Sequence, residues 1–371
     1  MHLVGIIAEY NPFHTGHIYH IENAKRATHA DGVIAVMSGS FVQRGEPAVY
    51  DKWTRAFHAL LGGVDLVLEL PVIYATASAE WFAFGAVETL LATGVTDVIS
   101  FGSECGDLAA LQKAADAVQN ETPLMKQALR AALRAGKSYA AAKAAVLSEH
   151  AGKCLSMPND ILGTLYLRAI HHRVPAHTIK RVGTAYTTDK IEGAYASAMA
   201  LRLRLLNGED CSSFVPYPTE TLLPHSWAQY EKLLLYALRT SNPKEFPGIS
   251  ATVAARLVQA QGENLAAILT SAKTKNIAMA AIKRALVQIL IQNRLSPTIP
   301  PAYLRVLGFT ARGAEILKKM RTTATLPIIS KPSAYDQTCP IWQTEQRATD
   351  IYFMGADGKS GEDIRHAPIR V

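Results

Sequence analysis

Four short, near-continuous apolar runs punctuate the first hundred residues: "LVGIIA" (3–8), "VIAVMS" (33–38), "DLVLEL" (65–70) and "DVISFG" (97–102). Helical patterns lie near 16–28, 51–62, 79–93 and 106–118, between and after them. Strands without polar alternation must be covered on both faces, and the intervening helices supply that cover. The pattern restricts the chain to the α/β class, with a doubly wound parallel sheet. In such sheets a ligand lies beyond the carboxyl ends of the strands, so the residues directly after each strand carry the functional information. Here they are "EYNPFHTGH", "GSFVQRGEP", "PVIYATASAE" and "GSECGD".

Further along, the Ala-, Lys- and Arg-rich stretch 124–150 reads as helix. "MPNDILGTLYLRAIHH" opens another helix, with Asn159 as its expected cap after a proline. "HTIKRVG" (177–183) returns to the sheet, and a helix containing "YASAMALRLRLL" closes the first unit. Residues 207–224, rich in Pro, Gly and Ser, read as a domain boundary. A length of 371 residues also predicts two domains. The expected partition is an α/β domain over 1–210 and a mostly helical one over 211–371. The latter has helices around 225–240, 250–272 and 275–294, and a basic helix at 310–321.

No run of eighteen apolar residues is present, so no membrane span is expected. "MHLVGIIAEY" lacks a basic n-region and reads as a strand, not a signal peptide. The four cysteines (Cys105, Cys154, Cys211, Cys339) are far apart, which suits neither a zinc site nor a disulfide framework and predicts a reducing cytoplasm. Residues 1–120 hold six Lys and Arg against thirteen Asp and Glu, whereas the remainder holds 32 against 18. That asymmetry suits a polyanionic partner for the second part, or merely solvates its helices.

The segment "EYNPFHTGHIYH" (9–20) follows the first strand directly. A metal site needs two or more histidines plus a further carboxylate or thiolate on a defined scaffold, and no second Glu or Cys stands at helical spacing from His14 and His17. A phosphate site asks for less. The first N–H groups of a helix have no intrahelical partner and carry positive partial charge, which makes the helix tip an anion site. Gly16 lets a nucleotide approach the backbone, and His14 and His17, three apart, point the same way. Donors fixed around a reacting phosphorus stabilise the charge that grows on its oxygens without a covalent protein nucleophile.

"HTGH" resembles the HxGH signature of the nucleotidyltransferase superfamily, which includes class I aminoacyl-tRNA synthetases and pantetheine-phosphate adenylyltransferase. "YASAMALR" (195–202) is similar to that superfamily's second motif, with Ser197 and Arg202 at the positions that hold the β and γ phosphates and Met199 in place of a usual Ser or Thr. Longer blocks, "GIIAEYNPFHTGH", "MSGSFVQRGEPAVYDKWTRA", "GVDLVLELP", "FGSE", "PNDILG", "IKRVG" and "YLRVLGF", together resemble the tRNA(Met) cytidine acetate ligase family over nearly the whole chain.

The resemblance implies a ligase that uses ATP to join acetate to the wobble cytidine of elongator tRNA(Met), giving N4-acetylcytidine through acetyl-adenylate. It implies an ATP-binding catalytic domain over 1–210 and a tRNA-binding role for 211–371. The implied catalytic residues are His14 and His17. The implied ATP segment is Ile7, Ala8, Glu9, Tyr10, Asn11, Pro12, Phe13, His14, Thr15, Gly16, His17, Ile18, Tyr19 and His20, completed by Gly102, Asn159, Arg181, Ser197 and Arg202. Lys180 carries the same charge as Arg181 beside it. No protein-bound metal is implied, and Mg²⁺ is expected to accompany ATP.

Arg44 and Lys52, after the second strand, are candidate contacts for acetate or pyrophosphate. Candidate RNA contacts are Arg130, Arg134, Lys137, Lys143, Arg168, Arg173, Arg312, Lys318, Lys319 and Arg321. No DNA partner is expected. Three rival readings share these motifs. They are an adenylyltransferase for a small phosphorylated precursor, a synthetase relative (though without a recognisable KMSKS block) and a non-catalytic nucleotide- or RNA-binding protein.

Overall fold

A computed structural model describes the chain except residues 120–122, 138–141, 143–144, 147–156, 182–195, 219–221, 261 and 357. Lys143, Cys154, Tyr195 and much of the expected helix beyond 137 thus lie outside the described residues. The strands are β1 (Leu3–Ala8), β2 (Gly32–Ser38), β3 (Phe41–Val42), β4 (Glu46–Pro47), β5 (Leu66–Leu70), β6 (Val98–Ser103), β7 (Ala176–Lys180), β8 (Leu304–Phe309), β9 (Ile328–Ile329) and β10 (Ile369–Arg370). The main sheet runs β10-β8-β5-β2-β1-β6-β7, with β9 also on β8, while β3 and β4 form a separate hairpin. Strands β5, β2, β1, β6 and β7 are mutually parallel, so the sheet is doubly wound as the alternation predicts.

Because side chains alternate along a strand, the sheet feeds two cores. Leu3, Ile34, Val36, Leu66 and Leu68 enter one, and Val4, Ile6, Val33, Met37 and Val67 the other. The first core also contains Leu234, Leu286, Tyr303, Val306, Ile316 and Trp342. The division at 210 therefore does not separate two cores. β8 adds antiparallel to β5, from Leu66↔Phe309 to Glu69↔Arg305, and carries the later part of the chain back onto the sheet. The expected helix over 250–272 is two, Ala251–Gln259 and Leu265–Ala272, the second capped by Asn264 Oδ1 on the Ala267 N–H at 2.9 Å.

The basic helix Ala311–Thr323 straps the amino edge of the sheet. It starts where the Thr310 N–H donates to the Asp65 carbonyl ahead of β5, and ends where Thr323 Oγ1 donates to the Thr93 carbonyl, shortly before β6. Arg312, Lys318, Lys319 and Arg321 thus stand at the edge opposite the carboxyl ends of the parallel strands.

Lys52 is corrected by the structure. It opens the helix Lys52–Leu61 and is fully buried, with Nζ 2.6 Å from Glu69 Oε1, 2.8 Å from Asp363 Oδ1 and 3.6 Å from Glu345 Oε1. Burial alone would lower its pKa; the carboxylates of Asp363, Glu69 and Glu345 outweigh that and hold it above the ordinary lysine range. Glu345, which burial and the neighbouring Glu69 push well upward, also accepts the Val72 N–H at 2.6 Å. The ammonium is consumed by this internal cluster and reaches no ligand; its work is to bind the segment 340–365 to the sheet. Lys52→Ala leaves three carboxyl groups buried without their cation, and is expected to lower unfolding free energy by about 3–5 kcal/mol in a denaturant titration.

Candidate functional site

Strand order reverses between β1 and β6, which lie side by side while their successors run off in opposite directions. A cleft opens at the carboxyl ends there, where doubly wound sheets bind ligands. Its walls come from Ile6–Asn11 at and beyond the end of β1, Gly102 near the end of β6, Ile179–Arg181 at the end of β7, and Ala196–Met199 with Arg202.

After β1 the chain turns into the helix Thr15–Ala27, whose cap is built from imidazoles. His14 Nδ1 accepts from the Gly16 N–H at 3.1 Å, and His17 Nδ1 accepts from the His14 N–H at 3.2 Å. The rings lie 3.8 Å apart between centroids, tilted by 31°. An Nδ1 that accepts carries no hydrogen, so each neutral ring bears its proton on Nε2. The cap thereby fixes two Nε2–H donors at a helix tip. Burial first, then the charges of Arg181 and Arg202, lower the His14 pKa to about 3. Burial, with His14 and Arg181, holds His17 well below the usual range. His20 is depressed to about 4 by burial and by Arg181 and His177.

The loop is fixed from several sides. Arg55, fully buried, donates to the carbonyls of Tyr50 (2.9 Å), Glu9 (2.7 Å), Ser38 (3.0 Å) and Gly39. Glu9 Oε1 accepts the Gln43 N–H at 2.7 Å, and Asn11 Oδ1 the Val49 N–H at 2.7 Å. Burial raises the Glu9 pKa, against the Gln43 hydrogen bond and the charges of Arg202 and Arg44. Arg202 donates to the Asn11 carbonyl at 2.6 Å from the helix Ala198–Leu206, which Ser197 caps by accepting the Ala200 N–H at 3.1 Å.

Most of the residues singled out by sequence meet in this cleft. Ile7, Ala8, Glu9, Tyr10, Asn11, His14, Gly16, His17, Tyr19, His20, Arg44, Gly102, Asn159, Arg181, Ser197 and Arg202 all line it, as do Lys180 and Met199. Pro12, Phe13, Thr15 and Ile18 are not among the lining residues. Phe13 is buried in the core and its carbonyl accepts from the Tyr217 hydroxyl at 2.8 Å, while the Thr15 N–H donates to the Phe214 carbonyl. Lys52 stands elsewhere, for the reason given above.

Asn159 lies inside the first turn of the helix Pro158–Ile170 and does not cap it. The cap comes from Glu104, whose carboxylate accepts from the Asp160 N–H (3.0 Å) and from Asn159 Nδ2 (2.6 Å), while Asp160 Oδ1 accepts from the Glu104 (2.8 Å) and Cys105 (3.1 Å) N–H groups. Sequence reasoning also missed an apolar wall of Phe82, Phe101, Leu162 and Tyr166. Among the described lining residues the four cations Arg44, Lys180, Arg181 and Arg202 outnumber the one carboxylate, Glu9. The arrangement suits a planar apolar group on one side and a polyphosphate on the other.

These features are those of the nucleotidyltransferase class, with a histidine-capped helix tip at the switch-point cleft. A family model described as HIGH Nucleotidyl Transferase matches residues 1–365. A tRNA(Met) cytidine acetate ligase of Thermoanaerobacter sp. (strain X514) is 36% identical over 401 aligned residues, with 100% of both chains covered. The crystal structure of apo Thermotoga maritima TmcAL matches with a TM-score of 0.91 at 31% identity, and the same protein bound with alpha-thio ATP with 0.88 at 32%, each covering 100% of both chains. The chain belongs to the tRNA(Met) cytidine acetate ligase family of HIGH nucleotidyltransferases.

In the unfolded chain an imidazole takes up its proton near pH 6.5, whereas folded His14 and His20 do so only near 3 and 4. Below pH 6.5 the unfolded state binds more protons, so this contribution to stability is whole above that value and is lost as the pH falls toward 4. The melting temperature of the wild type is expected to drop through that window. In His14→Asn, which keeps a side-chain acceptor for the Gly16 N–H, it should drop less.

Proposed function

We propose that the protein uses ATP to join acetate to the wobble cytidine of elongator tRNA(Met), giving N4-acetylcytidine, AMP and pyrophosphate. The observation that carries this reading is the pair of Nε2–H donors fixed at the helix tip of the switch-point cleft. Adenine lies against the Phe82–Phe101–Tyr166 wall with Asn159 beside it, and the phosphates run toward His14, His17, Arg181 and the helix tip capped by Ser197. An acetate oxygen attacks the α-phosphorus and pyrophosphate departs. The imidazole N–H groups meet the charge that grows on the phosphoryl oxygens, preorganised by the cap so that they need no reorientation. Arg44, at the cleft wall beside Met199, holds acetate or pyrophosphate by charge.

In the second step the cytosine N4 amine attacks the acetyl carbon of acetyl-adenylate. The N–C bond forms, the acyl–oxygen bond to AMP breaks, and the amine proton passes to AMP or to solvent. An acyl-adenylate is activated enough to need no strong general base. Mg²⁺ would accompany ATP and offset the charge of its phosphates. No helix among the described residues is long and apolar enough to cross a membrane.

Labelled acetate is expected to enter a tRNA(Met) transcript only with ATP, and acetate-dependent ATP–pyrophosphate exchange to proceed without RNA. His14→Ala with His17→Ala should slow that exchange at least about a hundredfold. Exchange driven by an amino acid instead of acetate would overturn the reading.

A further inference from the structure

The segment 225–300 carries nine Lys and Arg against three Glu, and two of those three are engaged internally. Glu231 accepts the Leu265 N–H at 2.7 Å, and Glu245 pairs with Arg294 at 2.9 Å. This segment rests on the wall of the nucleotide cleft. Trp227 Nε1 donates to the Gly45 carbonyl at 3.1 Å, and Arg284 Nη1 to the Gln43 carbonyl at 3.2 Å. Gly45, with φ +74°, lies so close to the backbone of Lys283 and Arg284 that an added Cβ would sit 2.2 Å from the Arg284 nitrogen. The turn bearing Gln43 and Arg44, both in the cleft lining, is therefore clasped by the helical segment.

From that clasp the helix Glu231–Thr240 leads away, burying Leu234 and Ala237. Tyr236 lies beyond Trp227 along the chain, in the second turn of this helix. Lys232, Tyr236 and Arg239 occupy spacings i, i+4 and i+7, which place them on one face. All three are exposed, and Tyr236 is 70% exposed. Lys244 follows at the rim of a groove floored by Leu235, Leu238 and Leu257. An aromatic ring held open to solvent between cations is the chemistry that stacks an unpaired base while its phosphates are neutralised.

We infer that this Lys232–Tyr236–Arg239–Lys244 face is the RNA-binding surface of the protein and grips the single-stranded loop that delivers the reacting cytidine. The inference rests on the function proposed above and specifies where its RNA is held. Another basic helix, Ala311–Thr323, lies across the amino edge of the sheet, away from the cleft.

Binding of an unmodified tRNA(Met) transcript, followed by fluorescence anisotropy over a salt series, tests it. Tyr236→Ala is expected to weaken binding about tenfold, with Tyr236→Trp restoring it. The triple variant Lys232→Ala, Arg239→Ala, Lys244→Ala should lower the slope of log affinity against log salt by about 2. Acetate-dependent exchange without RNA should continue in both, and Lys318→Ala, Lys319→Ala, Arg321→Ala should bind as wild type does. Wild-type affinity and salt slope in the first two variants, or loss confined to the last, would overturn the surface while leaving the function standing. So would a wild-type dimer that Tyr236→Ala dissolves without change in RNA affinity, since the face would then belong to a second copy. If the wild type neither binds the transcript nor acetylates it, the proposed function fails and this surface with it.

Discussion

The Arg55 guanidinium is the fixed point of the site. It sits in the interior, and four backbone carbonyls from the ends of β1 and β2 and from the start of its own helix converge on it. Those carbonyls belong to loops that cannot complete a strand ladder, and a buried carbonyl without a donor costs about as much as a lost hydrogen bond. One planar cation meets this need at several strand ends together. With Glu9 on the Gln43 N–H, Asn11 on the Val49 N–H and Arg202 on the Asn11 carbonyl, it ties the turns after two adjacent strands to each other.

Two edges of one sheet are put to opposite uses. At the carboxyl edge the parallel strands end in loops with backbone groups and cations turned to a cleft, whereas the amino edge is crossed by a helix whose caps and glycine contacts knit it to the strand starts. The charge that dominates the second part of the chain is spread over both edges, so net charge alone does not single out one face for an anionic partner.

The alternation of apolar runs made β1, β2, β5 and β6 legible, because parallel strands covered on both faces leave a continuous apolar signature. The histidine pair at the helix tip was legible because its residues are adjacent in sequence and follow the first strand; that the two rings cap the helix was not. β8 was not. "YLRVLGF" carries the same kind of apolar run, but its partner β5 lies more than two hundred residues earlier, and no local pattern announces so distant a pairing. Lys52 reads as an ordinary cation opening a helix, since two of its three carboxylates come from the far end of the chain. Phe82, Phe101 and Tyr166 escaped notice because apolar residues that face a cleft have the same sequence signature as those that face a core. Asn159 misled for a related reason: the cap that its helix needed was supplied by Glu104, from across the sheet end.

The pairing of β5 with β8 has a consequence for how the molecule comes into being. During synthesis β1, β2 and β5 emerge early, yet the flank of β5 that β8 will occupy stays open while about 240 further residues are made. An uncovered strand edge rich in leucine invites association with other chains, and closing so long a loop is slow. The nascent protein is therefore most vulnerable in the interval between its first five strands and its eighth, a span in which chaperone protection would matter more than at any later stage.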